Sequence, residues 1–242
     1  MNFNRGVYVI IGAAGGIGSA VARLLQQNNG RPVLLGRSAE RLAPLAAELG
    51  APSHVVDASK IEELEQAVAA VGPIAGIINC AGSILLKPAH LISEAEWRQT
   101  IDTNLTTAFA TVRAGAKALT AQGGSIVLCA TAAARIGMAN HEAVAAAKGG
   151  VSGLTLSSAA TYAPRNIRVN CVAPGLVDTP LAARITSNEA ALKMSTGMHA
   201  LGRIGKPEDV ASGIAWLLDP SNNWVTGQIL GIDGGLGSLR AR

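Results

Sequence analysis

The chain has 242 residues, of which 49% are hydrophobic, 15% charged and 3% aromatic, and its formal net charge is +4. This composition supplies enough apolar surface for a buried core, and it excludes intrinsic disorder, which requires low hydrophobicity and high charge. Because aromatic residues are rare and basic residues are scattered singly, we expect no nucleic acid among the partners.

The cysteines and the apolar runs bear on the cellular compartment. Cys80, Cys129 and Cys171 lie far apart, in a spacing that fits no metal site, and an odd number of thiols cannot pair completely. We therefore expect reduced thiols and no bound metal. The apolar run at residues 7–11 is too short for a signal sequence, and no later run reaches ~18 apolar residues. The sequence predicts a cytoplasmic protein with no membrane partner.

Short segments rich in aliphatic residues recur along the chain and predict strands. They cover residues 6–13, 31–36, 53–57, 76–82, 125–131, 167–175 and 228–235. Most are continuous apolar runs rather than alternating ones, which is typical of parallel strands covered on both faces.

Helical patterns lie between these segments. Apolar residues in 17–25 share one helix face. Ser93 and Glu96 form the pattern of a capping box, and Pro207 opens the last long helix. Pro44 interrupts another helical pattern, so that helix is expected to be kinked or to start late.

Strand and helix alternate over residues 1–242, which predicts a single α/β domain of the Rossmann type. Its doubly wound parallel sheet of about seven strands would carry helices on both faces. Segment 178–206 lacks clear periodicity and contains methionines, which suggests a lid over an apolar or mixed small-molecule substrate. The alternative is a helical pair that packs its own apolar face.

A glycine-rich turn joins the first strand to the first helix. Its glycines permit a tight turn and a close approach of the backbone to a pyrophosphate, which the helix N-terminus would bind. The alternative is a turn that is glycine-rich for packing only. The residues expected to contact a dinucleotide are Gly12, Ala14, Gly15, Gly16, Ile17 and Gly18.

The end of the second strand bears on the choice of cofactor. NAD enzymes usually carry an acidic residue there, whereas this chain has Arg37, whose charge could bind a 2′-phosphate. NADP(H) is therefore favoured over NAD(H). The alternative is that Arg37 is an ordinary surface arginine.

These features resemble the short-chain dehydrogenase/reductase family along nearly the whole chain. GAAGGIG resembles the family's GxxxGxG turn, NCAG at 79–82 its NNAG element, PGLVDT at 174–179 its PGxxxT element, and GQILGIDGG its last strand. The resemblance implies adenine contact by Asp57 and an active-site role for Asn104. It also implies further cofactor contacts by Asn79, Ala81, Gly82, Lys148, Pro174, Gly175, Val177 and Thr179.

One departure from the family concerns the acid–base group. The family signature is a tyrosine four residues before a lysine, with a serine 13 positions before the tyrosine. Counting back from Lys148 places Val144 on the tyrosine and Thr131 on the serine. The glycine turn also follows Ile11, where the family usually has a threonine.

The proton would then come from another group. On a helix, His141 shares a face with Val144 and Lys148, and histidine exchanges protons near neutral pH. The alternative is that His141 merely begins the helix, with water or no group in the tyrosine's place. The predicted catalytic residues are Asn104, Thr131, His141 and Lys148.

Together these features predict an NADP(H)-dependent oxidoreductase that passes hydride between nicotinamide and a small carbonyl or alcohol, an imine or an enone. The resemblance implies a homo-oligomer, a tetramer or a dimer. The alternative is a catalytically silent NADP-binding sensor, or a subunit that accompanies a tyrosine-bearing partner.

Overall fold

The apolar segments form one parallel sheet within residues 1–239, the part of the chain that the computed structural model describes. The strands are β1 (Val7–Ile11), β2 (Arg31–Gly36), β3 (Ser53–Val55), β4 (Gly76–Asn79), β5 (Gly124–Cys129), β6 (Ile167–Pro174) and β7 (Ile229–Ile232). Their order across the sheet is β3-β2-β1-β4-β5-β6-β7. The predicted strands are therefore confirmed, although most end a few residues early, where the chain turns away from the sheet.

Helices cover both faces of this sheet, which confirms the doubly wound fold. They are α1 (Gly16–Gln27), α2 (Ala39–Leu49), α3 (Ile61–Val71), α4 (Glu94–Ile101), α5 (Thr107–Leu119), α6 (Glu142–Tyr162), α7 (Ala183–Thr186), α8 (Glu189–Met198) and α9 (Pro207–Leu218). One apolar layer packs α3, α5 and α6 against the sheet, and the other packs α1, α2 and α9 against the opposite face. A π-helical turn, Asp102–Thr106, joins α4 to α5.

Two helix starts agree with the sequence patterns. Ser93 caps α4 by accepting a hydrogen bond from the Glu96 N–H, and the Glu96 carboxylate accepts one from the Ser93 N–H at 2.8 Å. α9 begins at Pro207, as predicted.

Of the two outcomes expected from Pro44, the late start of α2 is wrong, and the kink stays a prediction. α2 begins at Ala39, because the Ser38 hydroxyl caps it by accepting a hydrogen bond from the Arg41 N–H at 3.3 Å. Pro44 lies inside the helix, where its missing N–H removes one backbone hydrogen bond.

The parallel strands end at one edge of the sheet, and this edge positions the functional residues. Ile11 lies opposite Leu35 on one side and Asn79 on the other, so β1, β2 and β4 end side by side at the same edge of the sheet. The chain continues from β1 to β2 in one direction, whereas β4 lies on the other side of β1. In sheets of this type, ligands bind in the crevice that forms where the strand order reverses.

Segment 178–206 contains two short helices, α7 and α8. In the described part of the chain, no side chain of α8 (Glu189–Met198) is buried. The presence of two helices is compatible with the alternative that this segment is a helical pair packing its own apolar face. Its role as a lid stays a prediction. In residues 1–239, no helix has the length and apolar character that crossing a membrane requires.

We expect Gly18→Ala to lower the free energy of unfolding by about 1–3 kcal/mol. A Cβ atom at Gly18 would lie 2.4 Å from the Gly12 carbonyl oxygen, so α1 would have to move away from the end of β1. Urea denaturation measures the change.

The matched control is Gly153→Ala in α6, where an added Cβ would meet no described atom within 4 Å. This substitution should raise stability by about 0.5–1 kcal/mol, because alanine loses less backbone entropy in a helix. Equal effects of the two substitutions would contradict the packing argument for Gly18.

Candidate active site

The turn after β1 brings its backbone against the end of β4. Gly12 has φ of +75°, and a Cβ atom there would lie 2.7 Å from the Ala81 nitrogen. A side chain is therefore excluded both by the backbone conformation and by the lack of space. The sequence-predicted residues Gly12 and Ala81 are thus neighbours at the sheet edge.

The N-terminus of α1 has the form of an anion-binding site. Gly15 is its N-cap residue, and among the described residues no side chain caps the first N–H groups of the helix. These N–H groups and the helix dipole favour a negatively charged ligand. A Cβ atom at Gly16 would lie 2.6 Å from Thr179 Cγ2, so Thr179 packs against this helix end.

Basic side chains lie beside the glycine turn. Arg37 is exposed at the end of β2, and the Arg41 guanidinium donates a long hydrogen bond of 3.5 Å to the Ala14 carbonyl. The sequence reasoning missed Arg41, although its place one turn beyond Arg37 was an available signal. Both cations can approach an anion bound at the turn.

Asp57 lies at the neighbouring strand end, after β3. Its carboxylate accepts hydrogen bonds from Ser59, from the N–H at 3.0 Å and from the hydroxyl at 2.7 Å. Burial acts to raise the pKa of Asp57, but the Ser59 hydrogen bonds and the charges of Arg37 and Lys60 lower it overall. Asp57 is therefore an ionised hydrogen-bond acceptor near the predicted position of the cofactor's adenine.

Asn79 shapes the turn after β4. Its Oδ1 accepts a hydrogen bond from the Ala81 N–H at 2.8 Å, and its Nδ2 donates to the Thr107 hydroxyl at 3.1 Å. These two bonds hold the turn over the first residues of α5.

Asn104 lies in the π-helical turn and is only 1% exposed. Its Oδ1 accepts a hydrogen bond from the Ser83 N–H at 3.1 Å, and its Nδ2 donates to the Ser83 hydroxyl and the Thr100 carbonyl, both at 2.9 Å. The sequence reasoning missed Ser83 and the π-helical turn. Such turns occur frequently at functional sites, where they reorient a side chain.

Lys148 is a buried amine on α6, 7% exposed, and its Nζ donates a hydrogen bond of 2.7 Å to the Cys129 carbonyl at the end of β5. A Cβ atom at Gly82 would lie 3.1 Å from Asn104 Oδ1 and 3.3 Å from Lys148 Nζ. The structure therefore brings the predicted residues Gly82, Asn104 and Lys148 together.

Val144 lies one helical turn before Lys148 and is 6% exposed. Thr131 follows β5, and its hydroxyl makes only long hydrogen bonds: it accepts from the Ala133 N–H at 3.3 Å and donates to the Pro174 carbonyl at 3.5 Å. These lengths leave the Thr131 hydroxyl available for a shorter bond to a ligand.

The structure corrects the placement of His141 on the helix. His141 is the N-cap residue of α6, which begins at Glu142, so it lies outside the helical turns that carry Val144 and Lys148. Its Nδ1 lies 2.8 Å from the Ala139 carbonyl oxygen, which can accept a hydrogen bond from this nitrogen. Nε2 is then the nitrogen that remains for proton exchange.

Segment 174–179 begins with Pro174, the last residue of β6, and its Thr179 packs against the N-terminus of α1. Pro174 and Val177 are buried, and the Thr179 hydroxyl donates a hydrogen bond of 3.3 Å to the Val177 carbonyl. The Leu176 N–H donates a hydrogen bond of 3.1 Å to His199 Nε2. His199 had no distinguishing signal in the sequence.

The thiols lie in apolar surroundings. Burial raises the pKa of both Cys80 and Cys129, and it raises the pKa of Cys171 to about 12. The thiols are therefore protonated near neutral pH and poor nucleophiles. In residues 1–239, no group of three or more His, Cys, Asp or Glu side chains is placed to hold a metal ion.

Comparison with known proteins assigns the family. The family model described as enoyl-(acyl carrier protein) reductase matches residues 12–237. The cis-4-hydroxycyclohexanecarboxylate dehydrogenase of Sinomonas cyclohexanicum is 36% identical over 244 residues, 96% of this chain and 97% of that protein. The chain belongs to the short-chain dehydrogenase/reductase family. This short-chain dehydrogenase/reductase is also 36% identical to the 3-oxoacyl-(acyl-carrier-protein) reductase FabG of Thermotoga maritima, over 98% of this chain and 99% of that protein.

Solved structures of other members have the same fold. A short-chain type dehydrogenase/reductase from Mycobacterium ulcerans superposes with a TM-score of 0.93 at 29% identity, covering 100% of this chain and 93% of that one. A variant of actinorhodin polyketide ketoreductase, crystallised with NADPH, gives a TM-score of 0.92 at 31% identity, covering 99% and 100%. As a member of this family, the protein is an NAD(P)-dependent oxidoreductase.

Proposed function

We propose that this protein is an NADP(H)-dependent oxidoreductase of small carbonyl compounds or alcohols, with a modified acid–base site. The observation that supports this most strongly is the convergence of Gly82, Asn104 and Lys148 beside the glycine turn. An amine, an amide and an uncapped helix N-terminus at one sheet edge are the groups that a nicotinamide cofactor and its substrate require.

The described residues fit the cofactor. Among the described residues no side chain caps the first N–H groups of α1, which leaves them free to bind a pyrophosphate. NADP(H), when bound, supplies or accepts the hydride. The residues proposed to hold it are Gly12, Ala14, Gly15, Gly16, Ile17, Gly18, Arg37, Asp57, Asn79, Ala81, Gly82, Lys148, Pro174, Gly175, Val177 and Thr179. Arg37, with Arg41 beside it, supports NADP(H) over NAD(H).

The substrate oxygen would be bound by the side chains around Lys148. Thr131 orients it through its hydroxyl, and Lys148 holds the nicotinamide ribose. Asn104, whose two amide hydrogens bond to Ser83 and Thr100, positions the turn that carries Gly82. Val144 offers no proton at the position where the family has its tyrosine, so the proton passes through His141 or water. Positioned acid–base catalysis contributes about 10²–10⁴-fold, whereas holding the reactants together contributes roughly 7–11 kcal/mol. Hydride transfer therefore remains feasible without the tyrosine.

The surroundings of the site support a small organic substrate. Met194 and Leu201, in the proposed lid at 178–206, are exposed and apolar. Two of the relatives are named for ring alcohols: the enzyme of Sinomonas cyclohexanicum and a cyclohexanol dehydrogenase of Acinetobacter, 35% identical over 243 residues. We include imines and enones as acceptors, each of which takes up one hydride and one proton, as a ketone does. The proposed state is a cytoplasmic homo-oligomer, a tetramer or a dimer.

A second candidate is a catalytically silent NADP-binding sensor, or a subunit paired with a tyrosine-bearing partner. Val144 favours it. Thr131, which is proposed to orient the substrate oxygen, favours catalysis. Lys148 would hold the ribose in either case.

The test of catalysis is NADPH oxidation by the purified protein across ketones, enones, imines and quinones. We expect turnover with at least one class, and we expect Lys148→Met to raise the NADPH dissociation constant about 10- to 100-fold, because it removes a charged donor. Lys117→Met is the matched control, since Lys117 pairs with Glu65 on the outer surface of α5. Tight NADPH binding without turnover on any acceptor would favour the silent subunit.

Cofactor preference depends on the charges beside the turn. We expect Arg37→Ala and Arg41→Ala each to weaken NADPH binding about tenfold and to leave NADH binding unchanged, because only NADPH carries the 2′-phosphate. Arg31→Ala, at the opposite edge of the sheet, is the control. Tighter binding of NADH than NADPH by the wild type would refute this assignment.

The modified acid–base site is tested by Val144→Tyr. Restoring a phenol one turn before Lys148 should raise the rate of ketone reduction by about 10²–10⁴-fold. Val144→Phe matches its size without the hydroxyl and should give no gain. Initial rates at saturating NADPH measure the effect.

His141→Ala completes this experiment. If His141 carries the proton, the substitution abolishes turnover in the wild-type background at unchanged NADPH affinity, and it has little effect once Val144→Tyr is present. Full activity of His141→Ala alone would leave water as the proton source.

A further inference from the structure

His199 is a buried histidine outside the predicted set of site residues. It follows α8 directly and is 3% exposed. Both ring nitrogens have backbone partners: Nδ1 lies 2.6 Å from the Ser195 carbonyl oxygen, and Nε2 lies 3.1 Å from the Leu176 nitrogen.

These partners fix the protonation state of the ring. The Leu176 N–H can only donate, so Nε2 must be the acceptor. The Ser195 carbonyl can only accept, so Nδ1 must carry the hydrogen. The imidazole is therefore neutral, with its proton on Nδ1, and it joins two backbone segments that are separated in the sequence.

One of these segments is the stretch proposed to hold the nicotinamide. Leu176 lies between Gly175 and Val177, which we assign to cofactor binding. A Cβ atom at Gly175 would lie 2.5 Å from His199 Nε2, so the ring takes the space of that missing side chain. Any displacement of the ring would release the Leu176 N–H and open room beside Gly175.

The other segment is the proposed lid. α8 buries none of its side chains within Glu189–Met198, and His199 is the buried residue immediately after it. Farther along, the Leu201 N–H donates to the Gly234 carbonyl at 3.0 Å. The C-terminal end of α8 is therefore held near the sheet through His199 and the residues that follow it.

The ring of His199 lies beside a cavity. His199, Leu176 and Gly175 border a cavity of about 430 Å³. The charged groups of Arg203 and Asp209, which also line this cavity, pair with each other. Opening of α8 can therefore carry the ring into this space.

We infer that His199 is a positioning residue that couples the lid to the cofactor: its neutral imidazole holds the Leu176 N–H, so that segment 174–179 has its binding conformation only while α8 is closed. The inference rests on the proposed function, because it takes segment 174–179 as the nicotinamide site. Two properties should then change together, namely the affinity for the cofactor and the protection of the lid's backbone amides from hydrogen exchange.

Two amide variants separate the two hydrogen bonds of the ring. His199→Gln places an acceptor near the position of Nε2 and keeps the Leu176 bond, whereas His199→Asn places a donor near Nδ1 and keeps only the Ser195 bond. We expect the NADPH dissociation constant to rise about tenfold in His199→Asn and to stay within about threefold in His199→Gln. Tryptophan fluorescence measures the constants, and thermal unfolding midpoints of both variants show that they are folded.

A measurement on the wild type tests the coupling without any substitution. NADP⁺ binding should slow hydrogen exchange at Leu176 and across α8 together, by at least about threefold at both. In His199→Asn, NADP⁺ should still slow exchange at the glycine turn but no longer across α8. Slowing at Leu176 alone in the wild type would overturn the inference.

The outcomes distinguish this inference from the proposed function. A wild-type protein that binds neither NADPH nor NADH refutes the proposed function, and the inference with it. Wild-type binding with equal dissociation constants in the Gln and Asn variants refutes the role of His199 alone. Should His199→Asn fail to fold, the wild-type exchange measurement still decides.

Discussion

The hydrogen bond from Lys148 Nζ to the Cys129 carbonyl is the interaction on which the arrangement of the site depends. It fastens α6 to the end of β5, at the sheet edge where the glycine turn and the turn after β4 also end. An ammonium group at this depth needs polar partners, and the strand-end carbonyl provides one that β-sheet pairing leaves free. Without this bond, the amine would lose its fixed position beside Gly82, whereas Asn104 would keep its own bonds to Ser83 and Thr100.

Much of the fold follows from local sequence signals. The strands were predictable because buried parallel strands are continuous apolar runs, and the start of α4 was predictable because Ser93 and Glu96 are three residues apart. The glycine turn was predictable because its glycines lie at short spacings in the chain, although Gly12 and Gly16 also pack against the distant residues Ala81 and Thr179. The motifs of the family then indicated how these elements follow one another along the chain. The seven observed strands agree with that prediction.

The features that the sequence did not reveal depend on contacts between distant residues. Ser83 meets Asn104 across 21 positions, Arg41 meets Ala14 across 27, and Leu176 meets His199 across 23. The π-helical turn was hidden for another reason: it lies inside a longer helical segment, and it differs from an α-helix only in its backbone hydrogen bonds. The early start of α2 despite Pro44 shows that one capping hydroxyl can outweigh a helix-breaking residue in setting a helix boundary.

The π-helical turn also sets the rotational phase of the two helices that it joins. A π turn holds one residue more than an α turn, and one residue corresponds to about 100° around a helix axis. α4 and α5 therefore run as one continuous rod whose two halves present faces rotated by roughly a quarter turn. α5 can bury its apolar face against the sheet while α4 keeps Trp97 exposed. A chain one residue shorter here would have to give up one of these two orientations.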